Sequence, residues 1–144
     1  MLESINPYNL EALKKYPEMN SDTVDTAIQE THSAFESWRK TTFSERAKLF
    51  KNLGDVLRKN ADDYAFVMSQ EMGKLLTESK AEILKCATNC DYYAEKAEIF
   101  LQDKIVSADI PKSYITFQPI GVVLAIMPWN FPFWQVLRFA CPTL

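Results

Sequence analysis

Glycine is scarce, with 3 residues in a chain of 144. So few, widely scattered, cannot build a G-x-G-x-x-G turn or a Walker loop, which need closely spaced glycines around a phosphate. The same scarcity favours long helices over many tight turns. Histidine is nearly absent: His32, between Thr31 and Ser33, has no second imidazole near it and reads as a partly exposed helix residue. Cysteine is sparse and odd in number. Cys86, Cys90 and Cys141 cannot all pair within one chain, and without framework spacing they point to a reducing, cytoplasmic setting. Cys86 and Cys90 are spaced one helical turn apart, yet no second cysteine pair or neighbouring histidine completes four metal ligands. They read as small core residues, and no metal is expected. Excess positive charge is missing too: 16 Lys and Arg against 19 Asp and Glu leave a net charge of -3. That balance gives no electrostatic reason for a nucleic-acid or membrane-surface partner. The opening Met1-Leu-Glu-Ser-Ile-Asn has neither the basic start nor the apolar core of a secretory signal.

What is present is mostly helical periodicity. Residues 1–20 read as an extended opening segment punctuated by Asn6, Pro7 and Asn9, with a weak strand from Leu10 to Tyr16 stopped by Pro17. Residues 21–101 then carry four helices. In the first, Val24, Ala27, Ile28, Thr31, Phe35 and Trp38 recur at three and four to make one apolar face, with Asn20 or Ser21 as cap. Thr42-Phe-Ser-Glu45 is a capping box opening the second, whose buried face is Ala47, Phe50, Leu53 and Leu57. Asn60 is expected to cap a third, with Tyr64, Ala65, Met68 and Met72 inward and Gly73 as its left-handed end. Lys74, just beyond, is placed to face the last helical carbonyls. The fourth runs from about Thr77 to Leu101 on a stripe of Ile83, Ala87, Cys90, Ala94, Ala97 and Leu101.

After Gln102 the pattern changes. Asp109 to Pro111 reads as a loop and Tyr114 to Gln118 as a partly exposed strand. Val122-Val-Leu-Ala-Ile126 is a continuous apolar run, the pattern of a strand covered on both faces. Met127 to Pro132 makes a turn, and Phe133 to Ala140 begins a helix. The stretch from Pro119 to Leu144 is apolar enough to suggest a membrane span. However, Pro128, Pro132 and Pro142 interrupt it and Arg138 would lie deep in lipid, so strand, turn and helix account for it better. A strand buried on both faces needs ladder partners and covering helices that nothing upstream supplies. The chain therefore reads as α/β: a four-helix segment leading into the first strands, in residues 113–144, of an incomplete Rossmann-like domain.

The chemistry concentrates in Ile126-Met-Pro-Trp-Asn-Phe-Pro132, at the carboxyl end of the expected strand, where open α/β sheets place ligands. Two prolines fix the backbone on either side of Trp129, Asn130 and Phe131. Two readings of Asn130 stand side by side. Its amide can be a rigid donor to a developing oxyanion, or it can simply cap the next helix.

The segment from Gln118 to Pro132 resembles the strand and loop that open the coenzyme domain of aldehyde dehydrogenases. Ile5-Asn-Pro7, Trp38-Arg39, Arg46 with Leu49, Glu71-Met-Gly-Lys74 and Cys90-Asp-Tyr-Tyr-Ala94 match that family in the same order, so the resemblance covers essentially the whole chain. It implies oxidation of an aldehyde to a carboxylic acid with NAD or NADP, through a cysteine thiohemiacetal and a glutamate-activated water. On this resemblance Asn130 donates its amide to the thiohemiacetal oxygen; Ile126, Met127, Pro128, Trp129 and Asn130 line the coenzyme; Phe131 and Trp134 face the substrate. Cys141 follows the loop too closely to be the family's nucleophile. That cysteine, the glutamate and the glycine-rich turn are not among these residues, so the chain alone is expected to be inactive. A full-length protein is expected to form a homo-oligomer.

Leu124 to Arg138 is especially similar to bacterial succinate-semialdehyde dehydrogenases, in which an arginine eight residues after the loop asparagine holds the substrate carboxylate. Arg138 falls at that position. Physically, a guanidinium in an apolar helix needs an anion, and a bidentate carboxylate suits it; an internal ion pair or a helix-end arginine is the less favoured alternative. A non-acidic aldehyde, or a non-catalytic helical interaction segment, are the competing readings.

Overall fold

Asn6 and Asn9 each accept a main-chain N–H two residues on, from Tyr8 at 2.9 Å and Glu11 at 3.1 Å, and so bend the opening segment back on itself. The result is an antiparallel hairpin of β1 (Leu2–Ile5) and β2 (Ala12–Tyr16), bulged at Ser4/Ile5, with Leu10 in the left-handed region at φ 62°. The computed structural model describes residues 1–107 and 112–144; the loop expected at Asp109 to Pro111 lies outside them.

All four expected helices form. They are α1 (Ser21–Trp38), α2 (Phe43–Lys59), α3 (Ala61–Met72) and α4 (Leu76–Leu101). Asn20 caps α1, its side chain accepting from Thr23 N at 2.8 Å. The capping box is complete: Thr42 Oγ1 accepts from Glu45 N, and Glu45 Oε2 accepts from Thr42 N. The Thr42 N–H and the Thr42 hydroxyl both donate to the Glu45 carboxylate and hold it below its ordinary range. Asn60 departs from expectation. It stands at the start of α3 without a side-chain cap bond, and its amide instead donates to Val56 O at the end of α2. Gly73 ends α3 at φ 68°, the left-handed conformation a Cβ disfavours.

The core is the contact of α2, α3 and α5 (Pro132–Thr143) with the long α4. Ile83, Cys86, Ala87 and Cys90 are fully buried on α4, against Phe50, Leu57, Ala61, Met68 and Cys141. At Gly54 the backbone of α2 comes so near α4 that a Cβ would sit 3.3 Å from Ala87 O. Burial pushes the Cys86 thiol up to about 12, as for an inert core cysteine.

Three expected features change. The apolar face of α1 is not covered: none of its residues is buried, and Val24 and Ile28 are exposed. The expected strand at Tyr114 to Gln118 shortens to β4 (Tyr114–Ile115), paired with an unforeseen β3 (Lys104–Ile105). Val122 to Ile126 forms no strand, and Leu124 and Ile126 are 85% and 87% exposed. The physical reason is the one the sequence raised: a strand needs a ladder neighbour, and among the described residues none lies beside this segment. No helix among the described residues is long and apolar enough to cross a membrane.

Candidate active site

Proline at the first position of α5 has no N–H to satisfy and a φ already suited to a helix, so Pro132 turns the chain sharply out of the Met127–Phe131 loop. The next two N–H groups need an acceptor. Neither Asn130 nor Phe131 supplies it: Phe131 is the cap residue and makes no side-chain cap bond. The acceptor comes from α4. Glu82 Oε1 takes Phe133 N at 3.0 Å and Trp134 N at 2.9 Å, and its other oxygen takes the Lys74 ammonium. Glu82 is only 5% exposed, so its charge is held by this pair and by the positive end of α5.

Around that anchor lies a cleft of about 590 Å³, lined in part by Lys74, Glu82, Lys85, Asn130, Phe131, Trp134 and Arg138. The structure thus brings together four residues singled out from the sequence: Asn130, Phe131, Trp134 and Arg138. Their settings are specific. Lys74 Nζ lies 4.0 Å from the Phe131 ring centre, and Lys85 Nζ lies 3.8 Å from that of Trp134. Tyr64 stacks on Phe133 at 5.4 Å, and Asn89 donates to Leu137 O at 3.1 Å, so α5 is fixed along its length. Arg138 is exposed on the cleft, not buried in the helix as its apolar neighbours suggested, and enters none of the ion pairs among the described residues. Three cations, Lys74, Lys85 and Arg138, face two carboxylates, Glu78 and Glu82, in the cleft lining. The balance favours an anionic ligand.

Ile126, Met127, Pro128 and Trp129 do not line this cleft. They precede it as a largely exposed segment that turns at Trp129, itself 77% exposed. Cys141 lies in the core instead, its sulfur 3.7 Å from that of Cys90 and away from the cleft. His32 is exposed on α1 and leans towards Phe35. Sequence reasoning missed the Lys74–Glu82 pair. Lys74 was placed against the end of α3, but it turns to a carboxylate eight residues on and is 9% exposed at its side chain. A buried-stripe position filled by glutamate, next to Ile83, was the available signal.

A second element of order sits at the far end of α5. Trp38 Nε1 and Arg46 Nη1 both donate to the main-chain oxygen of Leu144, at 2.9 and 2.7 Å, and Arg46 also reaches Thr41 and Trp38 O. Trp38 and Arg46 therefore hold the end of α5, whose other end carries the cleft.

The family model described as "Aldehyde dehydrogenase family" matches residues 1–144. A probable NADP(+) succinate-semialdehyde dehydrogenase of Synechocystis is 39% identical over 143 residues, which is 99% of this chain and 32% of the relative. An NADP(+) succinate-semialdehyde dehydrogenase of Mycobacterium tuberculosis is 45% identical over 148 residues, with the same shares. The solved succinic semialdehyde dehydrogenase from Streptococcus pyogenes, in complex with NADP+, superimposes with a TM-score of 0.93 at 35% identity, covering 98% of this chain and 31% of that one. The chain thus spans about a third of the length of the curated relatives it matches.

Proposed function

This chain belongs to the aldehyde dehydrogenase family, and on that premise we propose that it supplies the oxyanion donor and the substrate-carboxylate site of an NAD(P)-dependent succinate-semialdehyde dehydrogenase. The observation that carries the proposal is the cleft: Asn130 and Arg138 line one cavity, with Phe131 and Trp134 as its aromatic walls.

In this reading Asn130 Nδ2 donates to the aldehyde oxygen as a cysteine thiolate adds to the carbonyl carbon and negative charge collects on that oxygen. Because Glu82 caps α5, the Asn130 amide is released from that duty and can serve the substrate. Phe131 and Trp134 exclude water from the chain of carbons, and each is backed by a lysine on its ring face. Arg138, one face of α5 further along, takes the distal carboxylate in a charge-assisted pair. The exposed apolar rim of Ile126, Met127, Pro128 and Trp129 beside Asn130 fits a flat coenzyme ring, and those residues with Asn130 would hold it. The coenzyme, when bound, would supply the acceptor for the hydride that the substrate carbon gives up. Relatives named for NADP(+) favour that form of it. In this proposal residues 113–144 open the coenzyme-binding domain, the substrate is a small aldehyde, and the full-length protein is a homo-oligomer.

The test is substrate choice. Arg138→Leu in the full-length enzyme should lower kcat/KM for succinate semialdehyde by roughly 2–5 kcal/mol in transition-state binding, while a neutral aldehyde of similar length is turned over as before or better. Equal losses on both, with a lowered Tm, would mean that Arg138 supports the fold and that the substrate is not selected by its charge.

A further inference from the structure

We propose that Glu82 is a positioning residue for the oxyanion donor: its carboxylate, held by Lys74, sets the start of α5 and thereby the place of Asn130. The proposal rests on the reading of Asn130 just given.

Three observations converge on it. First, the two N–H groups that Glu82 accepts, Phe133 and Trp134, are the first that α5 offers after Pro132, and both bonds go to one oxygen. The start of the helix is therefore fixed against α4 by a side chain 51 residues away in sequence, not by its own loop. Second, Pro132 and Pro128 restrict the backbone on both sides of Trp129-Asn130-Phe131, so a displacement at Phe133 is passed to Asn130 rather than absorbed between them. Third, the Lys74 ammonium that neutralises the second Glu82 oxygen also lies over the Phe131 ring. One ion pair thus holds both the helix start and the residue next to Asn130. The pair is buried at both side chains, 9% for Lys74 and 3% for Glu82, so its geometry is not loosened by water.

A carboxylate that merely stabilised the fold would not depend on Asn130; one that acts through Asn130 must. The experiment is a double-mutant cycle in the full-length enzyme with succinate semialdehyde, using Glu82→Gln and Asn130→Ala singly and together. Glu82→Gln keeps an acceptor of the same shape but loses the charge and the ammonium partner. Alone it should lower kcat by about 10- to 100-fold, as a misplaced catalytic group does, with little change in KM. In the Asn130→Ala background it should cost less than about 3-fold more, because the donor it positions is already gone. Losses that multiply across the cycle overturn the proposal while leaving the Asn130 reading intact. Near-normal kcat in Asn130→Ala alone overturns both. Should Glu82→Gln fail to accumulate as folded enzyme, the pair Lys74→Met/Glu82→Gln leaves no unpaired buried ammonium and runs the same cycle. Failure of both variants to fold assigns Glu82 a purely structural role and overturns the proposal.

Discussion

Two neighbouring stretches of similar apolar character, residues 122–126 and 132–143, meet opposite fates. The second becomes α5 and buries Cys141 against Cys90, with Leu137 and Phe133 packed on the core. The first stays irregular and leaves Leu124 and Ile126 in water. The difference is in the backbone. A helix satisfies its own N–H and C=O groups and needs only one face covered, which α4 provides. A strand needs its groups paired by neighbours and both faces covered, and among the described residues it has neither. Apolar sequence states a demand for burial; whether the demand is met depends on what stands beside it.

The comparison can be broken by placing the same charge in each region. Ile83→Lys puts an unpaired ammonium into a fully buried position of the packed region and should destabilise the chain by more than about 4 kcal/mol, seen as loss of cooperative melting by circular dichroism. Leu124→Lys in the same 144-residue chain should shift stability by no more than about 0.5 kcal/mol and increase solubility, since the site is already wet. In the full-length enzyme, where we propose that 122–126 is covered, Leu124→Lys should instead abolish soluble protein. Equal tolerance in both settings would mean that the segment is surface in the complete molecule as well.

A smaller effect sharpens the same contrast through pH. Cys86 is buried, and its thiol holds its proton up to about 12 in the folded chain, against an ordinary value of 9.0. Above about 9 the unfolded chain binds fewer protons than the folded one, so stability must fall as pH rises through that range. Below it this group contributes no slope. Denaturant midpoints followed from neutral pH upward should be flat and then decline, and Cys86→Ala should remove part of the decline. A midpoint that stays flat above pH 9 would show that the thiol ionises in the core as readily as in the unfolded chain.

How much of this was legible in the sequence follows from the same physics. Helices announce themselves locally, so α1 to α4, the Thr42–Glu45 box and the left-handed Gly73 were all readable from spacing and cap residues. The burial of Cys90 followed from the α4 stripe, and that of Cys86 from its reading as a small core residue for want of further metal ligands. What was not legible depends on partners far along the chain. The exposed face of α1 reads like a covered one, because periodicity does not name its neighbour. The β3 strand is two residues long and too short to carry a pattern. The placing of Asn130, Phe131, Trp134 and Arg138 about one site was what the family resemblance implied, and all four line the cleft. Glu82, which anchors them, was not, since its contact with Phe133 and Trp134 spans about fifty residues.

The central claim is that the amide of Asn130 stabilises charge on the substrate oxygen, and the most direct measurement is single-turnover hydride transfer by Asn130→Ala in the full-length enzyme. The account predicts a rate lowered by about two to three orders of magnitude, the usual loss for one oxyanion donor, with coenzyme affinity little changed and Tm preserved. A rate within about threefold of the parent's, a difference too small for the loss of such a donor, would contradict it and leave Asn130 as a turn residue only.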